Sequence, residues 1–249
     1  MRWSKSFFGR RRLRRWALAV VAAAASLFGV SQSPSVPPAP PQASPQPAPA
    51  PPAPRFVVVL DAAHGGDDTG GRLGDEPEKA FTLSLSVRLR SLLAARGIQV
   101  ITIRESDTNL DANRRAEIAN HANAQACLSL HASETGSGIH LFASSLAPAA
   151  SNRFSAWKTA QAAWVTRSLA LAGVVNSVLL HADLPVSLGR TTLATIDSMT
   201  CPAIALEVSP TRGPGNAITA GLDDPGYQAR VAEALAAALL EWKTEVHQP

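Results

Sequence analysis

From Arg55 onward, short aliphatic and β-branched runs alternate with longer stretches whose apolar positions recur every three or four residues. That is the pattern of strands covered by helices in a mostly parallel sheet. Residues 56–60 form an unbroken apolar run, as expected of a strand buried on both faces. Phe81, Leu85, Leu89 and Leu92 fall at helical spacing, so a helix is predicted to open near Pro77 and Glu78 and to stop at Gly97. Residues 98–103 make the second predicted strand. Asp111 stands as the cap of a helix running through Ile118 and Ala122, and residues 126–130 give a third strand. A fourth is predicted at 139–142, then a long helix over about 156–171 with Trp157, Ala160, Trp164 and Leu171 in the core, and a last central strand at 203–208. Asp224 followed by Pro225 is a capped start with proline in the first helical turn, and Val231, Leu235, Leu239 and Trp242 give the closing helix one apolar face. The predicted fold is therefore α/β, a single domain over residues 55–249 with a mostly parallel central sheet flanked by helices.

The first 54 residues follow a different pattern. Residues 16–30 carry no charge and are apolar around the whole helical circumference. Preceded by a basic stretch, they read as an export signal or a short membrane anchor over residues 1–30. Fifteen helical residues rise only about 22 Å against a hydrocarbon core of about 30 Å, so both forms fit. Residues 34–54 hold 11 of the chain's 19 prolines. Such a tract forms neither ladder nor helix, and residues 31–54 are expected to be a disordered, extended linker reaching roughly 65 Å at about 3.1 Å per residue.

Charge changes the picture once its position is considered. The 249-residue chain has a formal charge of +4, from 23 Lys and Arg against 19 Asp and Glu, but seven of those basic residues lie within residues 1–15, where there is no acid. The remainder carries 16 basic and 19 acidic residues, about −3, and aromatics are only 5% of the chain. A nucleic-acid partner is excluded by this distribution, because no basic stripe with interleaved aromatics remains. Cys127 and Cys201, each inside an apolar run, are expected to be two buried thiols, although an oxidising compartment would permit a bridge.

In an open α/β sheet, ligands gather beyond the carboxyl ends of the strands. The first strand runs into Asp61-Ala-Ala-His64-Gly-Gly, the third into His131-Ala-Ser, the last ends in Glu207, and Glu78 opens the first helix. His64, Glu78 and His131 make a three-ligand set of the catalytic zinc type, leaving Glu207 as a base. Taken singly, a histidine beside Gly-Gly is an ordinary loop residue and Glu78 simply suits the positive end of a helix. Arg104 and Arg115 are candidates to hold an oxyanion or a carboxylate, against an ordinary structural role; His121, His140, His181 and His247 read as surface or packing histidines.

His64-Gly65-Gly66, Glu78-Lys79, Thr102-Ile-Arg104, Asp107, Arg115 with Ala119-Asn120, Ser129-Leu-His131-Ala and Pro202-Ala-Ile-Ala-Leu-Glu207 occur in an order and spacing that resembles the zinc-dependent N-acetylmuramoyl-L-alanine amidases of the Amidase_3 type. The resemblance covers essentially residues 56–242. It implies that His64, Glu78 and His131 bind Zn2+, that Glu207 is the catalytic carboxylate, and that the substrate is peptidoglycan, cut between N-acetylmuramic acid and L-alanine in the cell envelope outside the cytoplasm. Ala62-Ala63 stands where the family usually has Pro-Gly, Ser133 where it has Asn, and Val-Ser-Pro-Thr-Arg-Gly after Glu207 where it has Gly-Phe and an Asn-bearing segment; these departures bear on substrate contacts. Some relatives insert a helical segment after the fourth strand that covers the zinc, whereas residues 144–155 here are short and rich in Ala, Pro and Ser, so an uncovered cleft is expected. Two other readings suit the same residues: a zinc carboxypeptidase acting on peptide ends, and an inactive envelope-binding module.

Overall fold

The computed structural model describes residues 55–150 and 156–246. The expected export segment, the proline-rich linker, His247 and part of the segment after the fourth strand lie outside them. Along the chain come β1 (Val57–Ala62), β2 (Arg72–Leu73), β3 (Glu76–Pro77), α1 (Glu78–Ala95), β4 (Gln99–Thr102), α2 (Ala112–His121), β5 (Ala126–Ala132) and β6 (Ile139–Ser144). A 3-10 segment (Trp157–Ala163) precedes α3 (Val165–His181), followed by β7 (Val186–Thr191), α4 (Ala194–Asp197), β8 (Ala203–Val208), β9 (Thr211–Arg212), β10 (Ile218–Ala220) and α5 (Pro225–Val246). No single helix among the described residues is long and apolar enough to cross a membrane.

Six strands form one sheet in the order β4-β1-β5-β8-β6-β7. All neighbours are parallel except β6 and β8, which run antiparallel. Strand alternation divides the side chains between two faces. Val58, Leu60, Leu128, Leu130, Ile204 and Leu206 face the larger core, which α1, α3 and α5 cover with residues such as Leu89, Val175 and Leu235. Val59, Cys127, Ala203 and Ala205 face a smaller core beneath Ala116 and Ala119 of α2 and Ile196 of α4. Continuing along that second face toward the carboxyl ends of β1, β5 and β8, the same alternation brings up Asp61, Ser129, His131 and Glu207. One face is thus apolar at one end and polar at the other.

Local signals act as predicted in several places. Asp111 caps α2 by accepting from the backbone N–H of Arg114 at 2.8 Å, and Gly97 ends α1 in the left-handed region at φ 72°. Two expectations are corrected. The helix predicted over 156–171 is broken, because the 3-10 segment meets α3 at 64°, and Trp157, predicted for the core, is 51% exposed. The two cysteines are not free thiols: Cys127 and Cys201 form a disulfide. Cys127 pairs with Ala203 across β5 and β8, so Cys201, two residues before Ala203, lies in sequence on the same side of the sheet and within reach. Sequence periodicity also misses β7, whose Ser187, Leu188, Arg190 and Thr191 are exposed because it is an edge strand.

Candidate metal and catalytic site

The chain leaves β1 through three residues with positive φ, His64 at 61°, Gly65 at 133° and Gly66 at 60°. Glycine is required at both of the latter positions, since a Cβ on Gly65 would lie 2.4 Å from the Thr108 carbonyl and one on Gly66 would lie 2.7 Å from Asn109. Four charged residues brace this turn from outside. Arg115, 5% exposed, donates from Nη2 to the His64 carbonyl at 2.6 Å and from Nη1 to the Ala62 carbonyl at 2.9 Å and to Asp61 Oδ1 at 2.7 Å. Arg104 donates to the carbonyls of Ala62 (2.8 Å), Ala63 (3.0 Å) and Lys79 (2.8 Å). Lys79 Nζ donates to the Gly66 carbonyl and to Asp107 Oδ2, both at 2.7 Å, while Asp107 Oδ1 accepts from the Gly66 N–H. Arg104 and Arg115 therefore spend their donors on backbone, on Asp61 and on the Thr82 hydroxyl, bonds that hold the turn in shape.

The turn carries His64 to Glu78, which the tight β2–β3 hairpin delivers to the first residue of α1. His64 Nε2 lies 3.1 Å from Glu78 Oε2, and His131 Nδ1 lies 3.1 Å from Glu78 Oε1. One donor atom from each of the three lies within 4.8 Å of the others, and the two imidazoles are perpendicular with centroids 5.2 Å apart. Glu78 also accepts from the backbone N–H groups of Gly71 (2.9 Å) and Ala132 (3.1 Å). Burial works against its charge, but bonds from the His131 and His64 rings and from those two amides prevail and hold it well below the ordinary carboxylate range. The bond that His64 donates to Glu78, helped by Asp68 and opposed by burial, raises the His64 pKa above its usual value.

Asp68 is a site residue that sequence reasoning missed. Its Oδ2 lies 2.9 Å from His64 Nδ1, so a carboxylate holds the ring nitrogen that faces away from Glu78, the arrangement that fixes the tautomer of a metal-ligating histidine. The signal was present as an acid four residues after His64, legible only with the turn's geometry in hand. Gly70 closes the set: at φ 65°, its Cβ would lie 2.6 Å from His64 Cδ2 and 2.7 Å from Glu78 Oε2. Two imidazole nitrogens and a carboxylate, with the far side of one ring already held by a carboxylate, suit a zinc ion in donor type and number.

Glu207 is the direct neighbour of His131 across β5 and β8. Its side chain makes no hydrogen bond among the described residues, so its carboxylate is available. A cavity of about 430 Å³ opens beside His64 and His131 along the second face of the sheet, lined among others by Asp61, Asn109, Arg115, Ser129 and Thr195. Ser133, where the resembling family has Asn, bonds Thr135 (2.8 Å). The segment after Glu207 forms the β9–β10 hairpin, from which Arg212 donates to the carbonyls of Gly136 and Glu134, both at 2.9 Å, tying down the loop after His131. Asn120 of α2 bridges Ser198 and Thr200 before β8.

The profile of a family described as N-acetylmuramoyl-L-alanine amidase (Amidase_3) matches residues 58–241. The germination-specific N-acetylmuramoyl-L-alanine amidase of Bacillus subtilis is 35% identical over 89 residues, 30% of this chain and 38% of the relative. The N-acetylmuramoyl-L-alanine amidase AmiA of Escherichia coli is 42% identical over 78 residues, 30% of this chain and 27% of the relative. The matches thus span only about a third of these relatives. Among solved structures, the catalytic domain of CwlV, an N-acetylmuramoyl-L-alanine amidase from Bacillus (Paenibacillus) polymyxa, superposes with a TM-score of 0.59 at 26% identity, covering 76% of this chain and 98% of that one.

Proposed function

The chain belongs to the N-acetylmuramoyl-L-alanine amidase family, and from that premise we propose that it hydrolyses the amide joining N-acetylmuramic acid to L-alanine in peptidoglycan, with zinc held by His64, Glu78 and His131. The observation that carries the reading is the convergence of those three donors within 4.8 Å with Glu207, whose carboxylate has no hydrogen-bond partner among the described residues, beside His131 on the neighbouring strand.

An amide is a poor electrophile with a poor leaving group, so its hydrolysis needs an activated carbonyl, a deprotonated water and a proton for the departing nitrogen. When bound, zinc supplies Lewis acidity, which polarises the carbonyl and brings the pKa of water from about 15.7 to about 7. Glu207 takes the proton from the attacking water and returns it to the amine of L-alanine as the C–N bond breaks. Glu78 stays fixed through the Gly71 and Ala132 N–H groups, His131 through Glu78, and His64 through Asp68. Arg115 and Arg104 keep the turn in shape.

In the same reading, residues 1–30 export or anchor the chain, residues 31–54 tether the catalytic domain, and the site of action is the envelope outside the cytoplasm. The test is digestion of purified peptidoglycan by the zinc-loaded protein. Release of peptides with N-terminal L-alanine, abolished by a chelator and lowered about 10²- to 10⁴-fold in Glu207→Gln with zinc still bound, is the expected result. Release of single C-terminal amino acids, or zinc binding without amide cleavage, overturns it.

A further inference from the structure

The antiparallel joint between β6 and β8 makes His140 the direct partner of Glu207, on the side opposite His131. Directly opposed residues project to the same face with Cβ atoms about 4.5–5.5 Å apart. His140 in turn pairs with Ser187 across β6 and β7. The second face of the sheet therefore carries one continuous row at the level of the candidate base, His131, Glu207, His140 and Ser187, drawn from four adjacent strands.

The His140 ring is held from two directions. Ser187 Oγ lies 2.8 Å from its Nδ1. On the other side the backbone of Gly136, at φ 89°, packs so closely that a Cβ there would lie 2.6 Å from His140 Nε2, and Arg212 holds that loop through the Gly136 carbonyl. Nε2 itself is buried and has no hydrogen-bond partner among the described residues. A buried ring nitrogen without a partner is unusual enough to require a role. Its row neighbour is a carboxylate with no hydrogen bond among the described residues, so the walls on either side decide where that carboxylate lies.

We infer that His140, fixed by Ser187 and the Gly136 loop, is a positioning residue that confines the carboxylate arm of Glu207 beside the His64–Glu78–His131 group. The inference rests on the reading of Glu207 as the base. A packing histidine would fill the same space without acting through Glu207, and that difference is measurable. A neutral imidazole offers a donor or an acceptor at Nε2 according to its tautomer. Catalytic contacts that are long in the ligand-free protein commonly tighten when substrate binds.

The test is a double-mutant cycle on the full-length, zinc-loaded protein, with kcat and KM measured separately on a soluble muramoyl peptide. His140→Ala is expected to lower kcat about 10- to 100-fold while leaving KM and zinc affinity within about twofold, His140→Gln to recover part of the loss, and His140→Ala to add less than about twofold on a Glu207→Gln background. A full further loss in the double variant, or a rise in KM with kcat unchanged, overturns the inference. A second arm needs no turnover: in metal-free protein, Glu207→Gln should shift the ring ¹⁵N resonances of His140 and leave those of His181 in place, and unchanged His140 resonances also overturn it. A wild-type protein that cleaves no amide refutes the amidase reading itself, and the resonance arm then still decides whether the two side chains interact.

Discussion

Arg115 Nη2 donates to the main-chain carbonyl of His64 at 2.6 Å, so the residue that leads the turn of the candidate metal site is held through its backbone by a buried cation. The same guanidinium is paired with Asp61, itself 2% exposed. Arg115→Met is expected to act twice over. Removing one partner of a buried pair leaves Asp61 uncompensated and destabilises by about 3–5 kcal/mol, and loosening a supporting contact weakens metal binding by about 10- to 100-fold. Thermal unfolding of the metal-free protein reads the first effect and zinc titration the second.

Asp68→Asn keeps the size of the side chain and removes the charge that faces His64 Nδ1. Because Asp68 lies largely exposed, folding should change little, while zinc affinity falls about 10- to 100-fold. Calorimetric titration with zinc at constant pH measures it, and unchanged affinity would show that the Gly70 and Glu78 contacts orient His64 without help.

Gly70→Ala combines a left-handed backbone with a methyl group placed within 3 Å of both His64 and Glu78. Loss of metal binding is the expected outcome, with the sheet intact by circular dichroism. Gly74→Ala is the control, since it shares the positive φ and meets nothing within 4 Å.

Proton and metal compete for the same donors, and the sign follows from the shifts. In metal-free protein the raised pKa of His64 means that its pairing with Glu78 stabilises the fold most below the ordinary value of 6.5 and is lost as pH rises through the raised value. The lowered pKa of Glu78 makes its own contribution fully present above 4.5 and lost as pH falls through the lowered value. The stability of the metal-free protein should therefore be greatest between those limits. Zinc affinity should climb as pH rises through the His64 titration, because His64 must lose its proton to bind. Unfolding from pH 2 to 9 and zinc titration from pH 5 to 9 would show both trends.

Reduction of the Cys127–Cys201 bond, which closes a span of 74 residues, removes a constraint on the unfolded chain worth about 4 kcal/mol in the entropic account. Unfolding with and without reductant should show a lower Tm in the reduced protein, and Cys127→Ala/Cys201→Ala should reproduce it.

Those features that depend on local order were legible in the sequence. Asp111 could be recognised as a cap, Glu78 as the opening of a helix, and His64, His131 and Glu207 as strand-end residues of one sheet. What escaped depends on pairing between distant segments. His140 reads as an ordinary histidine until the antiparallel register sets it against Glu207. The disulfide follows from β5 and β8 being neighbours, and Asp68 matters only because His64 turns back at φ 61°. Strand β7 escaped for another reason: an edge strand exposed on both faces has no apolar periodicity to read.

The reversal of β6 has one more consequence, for growth of the chain by insertion. Because β6 runs against β8, its first residues lie level with Glu207 and it ends at Ser144, four residues beyond His140 and so about 14 Å further along the sheet. A segment lengthened after Ser144 is thus a leash fastened at the far end of the face that carries Glu207. To reach the level of Glu207 again, such a segment would have to run back over that same distance of about 14 Å.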